Sequence, residues 1–129
     1  MKMRIFWITL ATIFIVLATI CESIVCKTFL SETKKQIEYI SEISTSSNFK
    51  DENISILINN LDNDWKNRES ILCVLVNHKD IEEIGERICE LKTSCLNDDF
   101  DAFVQSTKLI IFYCDSFQHL FGFTIENIL

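Results

Sequence analysis

The chain has 129 residues, no proline, two glycines and a formal net charge of −7. That length allows one domain beyond a membrane segment, and the scarcity of turn formers argues against a hairpin-rich β fold. Lys2 and Arg4 are the only bases before residue 22, so residues 22–129 hold ten Lys and Arg against nineteen Asp and Glu, a charge of −9. An acidic surface opposes nucleic acid and anionic lipid as partners, because phosphate binding needs a basic face; it fits a solvated domain standing off a membrane surface.

Behind the basic start, Ile5 to Cys21 is an uncharged apolar run of 17 residues. At about 1.5 Å per residue it reaches roughly 26 Å, close to one bilayer core. A cleaved signal peptide has the same layout but needs small residues at −3 and −1. Ala18-Thr19-Ile20 and Ser23-Ile24-Val25 each put a branched residue at −1, and neither Cys21 nor Cys26 follows the small residue a lipoprotein signal requires. We therefore read residues 1–26 as an uncleaved transmembrane anchor and 27–129 as an extracytoplasmic helical domain. Lys2 and Arg4 put the N-terminus in the cytoplasm by the positive-inside rule, making this a single-pass cell-membrane protein. The bilayer is then its first partner.

After the span, Phe29, Ile37, Ile40 and Ile43 continue a helical stripe among charged residues. The run Ser44-Thr45-Ser46-Ser47-Asn48 has turn chemistry and ends this first helix near Ile43. A second helix starts at Asp51, a suitable N-cap, with a stripe of Ile54, Ile58, Leu61, Trp65, Leu72 and Leu75 that Arg68 interrupts. The segment Ile71 to Val76 is apolar on most sides and is expected to be buried. Asn77-His78 ends the helix.

Asp80-x-x-Glu83 resembles a capping box and opens a third helix with Ile81, Ile84, Ile88, Leu91 and Cys95 at 3-4-3-4 spacing, a narrow seam with a wet exterior. Asn97-Asp98-Asp99 closes it. The fourth helix carries Phe100, Phe103, Thr107, Ile110, Cys114, Phe117 and Phe121 in the same rhythm, with Gly122 as its left-handed terminator. The apolar tail from Phe123 to Leu129 is expected to pack back. Phe49 and Phe100, 51 positions apart, each precede a helix and suggest paired helical hairpins. The fold class is all-α: an N-terminal transmembrane helix continuing into an antiparallel bundle of about four helices.

The six cysteines contain no C-x-x-C, so neither a redox dithiol nor a zinc knuckle is signalled. Cys89, Cys95 and Cys114 fall among apolar side chains and read as buried, reduced thiols; disulfide or metal roles remain open alternatives.

In the order and spacing of several short motifs the chain resembles the family known as domain of unknown function 4363, small proteins of low-GC Gram-positive bacteria. The residues are the leading span, Asp64-Trp65, Asn77-His78 followed by Ile81 and Ile84, and the ending Glu126-Asn127-Ile128-Leu129. The resemblance covers nearly the whole chain and implies this architecture, a small integral membrane protein as partner, and no mechanism. The cysteines and the Phe-rich fourth helix depart from the family's more charged pattern.

Among candidate sites, His78 between two helices reads either as a pH switch or partner contact or as a C-terminal helix cap. His119 and Asp115, four apart, read as an exposed ion pair. Asp62-Asn63-Asp64 fails as a calcium loop because Lys66 and Arg68 stand where ligands belong and no glycine makes the turn. Glu82, Glu86 and Glu90 form an acidic ridge that reads as a solvated face or, alternatively, as a site for a cation or a basic partner. Trp65 lies on an apolar stripe, which favours a core place over ligand stacking. Phe112 falls off the fourth helix's seam and is the expected exposed contact. No nucleophile, phosphate loop, cofactor motif or metal-ligand set is visible, so no catalytic, cofactor or metal residue is assigned. The expected function is a non-enzymatic interaction or adaptor module at the cell envelope, touching another membrane or envelope protein. The alternative is a ligand- or pH-responsive sensor with a pocket between helices near His78 and Trp65.

Overall fold

A computed structural model describes the backbone of residues 1–46 and 51–126 and the side-chain surroundings of residues 1–45 and 51–119. Four helices follow in order: α1 (Lys2–Ser46), α2 (Glu52–Leu75), α3 (His78–Leu96) and α4 (Phe100–Glu126). Each packs on its chain neighbours, α4 also packs on α1, and the diagonal pairs do not approach. The result is a square, up-down-up-down antiparallel bundle.

The seam has coiled-coil spacing. On α1, Ser23, Cys26, Leu30, Thr33, Ile37, Ile40 and Ser44 are buried, alternating three and four residues apart. On α2 the buried row is Ile54, Ile58, Leu61, Trp65 and Leu72, and on α3 it is Ile81, Ile84, Ile88, Leu91 and Ser94. On α4 it is Phe103, Ser106, Thr107, Ile110 and Cys114. A 3.5-residue repeat keeps one face of each helix turned inward over its whole length. Before Ser23 the pattern changes: residues 1–21 of α1 are exposed on every side, and this helix is long and apolar enough to cross a membrane.

α1 enters the bundle as one continuous helix, as the sequence led us to expect. Other expectations change: the core already takes in Cys26, which the sequence assigned to the anchor. The run Ile71 to Val76 is not buried on most sides. Only Leu72 is fully buried, and Ile71 and Val74 are exposed, because α2 ends here and has no neighbour beyond its own seam. α4 continues through Gly122 to Glu126, with no glycine at positive φ. Gly122 is therefore not a terminator, and Phe123 to Glu126 extend the helix instead of folding back. Phe49 and residues 127–129 lie outside the described residues.

The turns carry their own chemistry. Asp51 caps α2 by accepting from the Asn53 N–H. Asn77 caps α3 by accepting from the Lys79 N–H, so the cap is three residues before the expected Asp80. Between α3 and α4, Asp98 adopts φ 57°. Its N–H donates to the Cys95 carbonyl and that of Asp99 to the Ser94 carbonyl, the pairing of a Schellman motif with aspartate where glycine is usual. Asp99 then accepts from the Ala102 N–H at 3.0 Å and starts α4.

Candidate functional site

Arg68 occupies the α2 position midway between Trp65 and Leu72, where the repeat calls for an apolar side chain. Its guanidinium, 15% exposed, reaches across to α1. Nη1 donates to Thr33 Oγ1 at 2.9 Å and to Gln36 Oε1 at 3.0 Å, and Nη2 donates to Glu32 Oε2 at 3.1 Å. Gln36 Nε2 in turn donates to Asp64 Oδ2 at 2.6 Å. A half-buried cation on a seam needs a satisfied polar shell, and α1 supplies it from three residues within one turn. The sequence signal was present in the polar Thr33 at a core position of the facing helix.

Other polar links tie the remaining interfaces. Lys34 Nζ of α1 lies 2.7 Å from Asp115 Oδ1 of α4, which replaces the expected pairing of Asp115 with His119. The hydrogen bond from Lys34 to Asp115 raises the ammonium above its ordinary range, outweighing its partial desolvation. Asp62 of α2 accepts from Lys66 at 2.9 Å and from Lys92 of α3 at 3.2 Å. Burial pushes this carboxyl upward, but the two lysines outweigh it and leave it below the usual range. Tyr113 of α4 donates to Glu83 Oε1 of α3 at 3.1 Å, and Arg87 holds Glu83 and Glu90.

The expected site residues separate into inside and outside. Trp65 is 1% exposed, in the core place its apolar stripe favoured and not at a surface where a partner or ligand would reach it. Its indole Nε1 has no acceptor among the described residues and lies against Gly85, where an added Cβ would be 3.1 Å away. His78 is the first residue of α3 and exposed, so it does not cap the end of α2. A groove of about 580 Å³ between α2 and α3 has Trp65 and Gly85 in its wall, but His78 does not line it. The two residues do not meet in this groove.

Glu82, Glu86 and Glu90 are exposed along α3, with Glu90 engaged by Arg87 at 2.7 Å. Phe112 is 62% exposed, its ring edge-on to Tyr113 with centroids 5.7 Å apart. A second groove, about 690 Å³, runs between α3 and α4. Glu86 and Glu90 line one side, and Gln105 and Leu109 the other. Phe112 continues the Gln105–Leu109 stripe at helical spacing. Glu86 and Glu90 thus line this groove, and the exposed Phe112 lies one turn beyond Leu109 on α4, outside its lining.

All six thiols are free. Cys114 is buried as expected and Cys95 partly so, but Cys89 is exposed, a correction: it sits one residue past Ile88, off the α3 seam. Cys26, not among the thiols expected to be buried, is fully buried. Burial, with the Asp115 carboxylate adding to it, pushes the Cys114 thiol up to about 12.

No family model, curated protein or solved structure matches the chain.

Proposed function

We propose that this is a single-pass membrane protein whose bundle serves, without catalysis, as an interaction module for another membrane or envelope protein. In this reading α1 crosses the cell membrane with its N-terminus in the cytoplasm and the bundle outside, and the chain belongs with the domain of unknown function 4363 family. The observation that supports it is the continuity of α1. Its uncharged apolar run, Ile5 to Cys21, is exposed on all sides, and the same helix becomes a wall of the bundle without a break. A partner held by the bundle would be coupled rigidly to the anchor.

Phe112 and the Glu86–Glu90 lip form the contact surface in this proposal. Apolar contact supplies most of the affinity at such surfaces, while charges at the rim mainly select partners. A photoreactive phenylalanine analogue at position 112, compared with the same analogue at Leu96, tests it in intact membranes. Position 112 should give one discrete protein adduct that Leu96 does not give. Phe112→Ala should weaken capture of that partner while changing stability by no more than about 0.5 kcal/mol. Lipid adducts alone, or the same products from both positions, would overturn the proposal.

A further inference from the structure

The exposed apolar residues at the end of α2 lie at a particular height. Gln36 bonds Asp64, and Glu32 bonds Arg68. Moving four residues down α1 is thus matched by moving four residues along α2 in the opposite direction. Continuing this register places Val74 level with about Cys26. The exposed apolar part of α1 ends at Cys21, and exposed Ile24 extends it by nearly one turn. Five helical residues separate Cys21 from Cys26, about 7 Å at 1.5 Å per residue. That is about the depth of one headgroup layer, since a bilayer of about 40–45 Å encloses a core of about 30 Å.

The charge distribution points the same way. By sequence, the turns at the opposite end carry Asp51, Glu52, Asp98, Asp99 and Asp101 against the single base Lys50. The end nearest the apolar run carries less net charge, with Glu22, Asp80 and the α4 terminal residue Glu126 against Lys27 and Lys79. Val74 is 83% exposed there, and Ile71, one turn earlier, is exposed beside it. An apolar tip ringed by both signs of charge suits the interfacial layer, where apolar side chains enter the acyl boundary and lysine stems reach back to water.

We infer that the α2–α3 turn is a second membrane contact: Ile71 and Val74 seat the base of the bundle in the interfacial region of the bilayer that α1 spans. The inference rests on the anchor reading above. It assigns the surface to lipid and not to a protein partner, and it fixes the tilt of the bundle, because two contacts on one face hold it where a single helix would let it swing.

The test uses the full chain in phosphatidylcholine vesicles. Cys21, Cys73, Cys89 and Cys95 are replaced by Ala or Ser, leaving the buried Cys26 and Cys114. Nitroxide labels are placed singly through Ile13→Cys, Val74→Cys and Leu96→Cys. Leu96 is 74% exposed at the distal end and serves as the aqueous reference. Collision rates with oxygen, which concentrates in lipid, and with a water-soluble nickel chelate are then measured. The oxygen-to-nickel ratio at position 74 should be several-fold above that at 96 and below that at 13. A high ratio at 13 with equal, low ratios at 74 and 96 would overturn the second contact and leave the anchor standing. Low ratios at all three positions would overturn both.

Discussion

Arg68 Nη1 donates to Thr33 Oγ1 across 2.9 Å, so a cation on the α2 seam is met by a hydroxyl on the α1 seam. Thr33 is fully buried and its hydroxyl also donates to the Phe29 carbonyl. The pair therefore places a filled polar layer on the α1–α2 seam between the apolar residues Trp65 and Leu72, and it aligns α1 with α2.

Removing only one side of this layer should be worse than making the position apolar. Arg68→Ala deletes both the charge-assisted bonds and the packing of the stem, and should lower stability by about 1–3 kcal/mol. Arg68→Met restores seam volume without a buried charge and should fall within about 1 kcal/mol of the parent. Urea unfolding of the full chain in detergent, followed by circular dichroism, measures both. Equal losses would show that the guanidinium itself, and not the filling of its space, holds the interface.

Gly85 and Trp65 should be coupled. An alanine at 85 gains helix propensity of about 1 kcal/mol, but its Cβ would press on the indole Nε1 at 3.1 Å. Trp65 is enclosed by the core and cannot withdraw freely, so Gly85→Ala should be net destabilising by about 1 kcal/mol. In a Trp65→Phe background the obstructing atom is gone and the same change should become stabilising. The double-mutant cycle reads this sign reversal directly; additive effects would remove the steric explanation.

Alkaline pH should weaken the fold partly through Cys114. Its folded pKa, about 12, lies above the ordinary 9.0. The contribution is present below pH 9 and is lost as pH rises from 9 through 12, because the unfolded thiol ionises first. At roughly 1.4 kcal/mol per unit the loss approaches about 4 kcal/mol. The raised Lys34 and Tyr113 groups act in the same direction at higher onset. Oxygen-free unfolding across this range should show a flatter decline for Cys114→Ala than for the parent. Parallel curves would assign the decline to the other groups.

Native thiol labelling should divide the cysteines by position on the helix. In lipid vesicles Cys89, exposed to water, should react first with a polar maleimide. Cys26 and Cys114 should react only after unfolding. Mass mapping of the labelled sites checks the order, and rapid native modification of Cys114 would contradict its place in the core.

The helices and their inward faces were legible in the sequence because both depend on local spacing. Ile81, Ile84, Ile88 and Leu91 name the core face of α3 without reference to any other helix, and the apolar run before Cys21 needs only its own length and composition. Even Phe112 could be placed outside by counting from Ile110 and Cys114. What the tertiary structure decided were matters of where elements stop and what stands opposite. Asp115 faces Lys34 instead of His119, because the α1–α4 packing presents a cation closer than the helix's own next turn. Val74 is exposed although its segment is apolar, because it lies two residues past the buried Leu72, on the face of α2 turned away from the bundle. The sequence determines which face each helix turns inward; the register between helices, set by pairs such as Arg68 with Glu32, determines which residues meet and which remain at the surface.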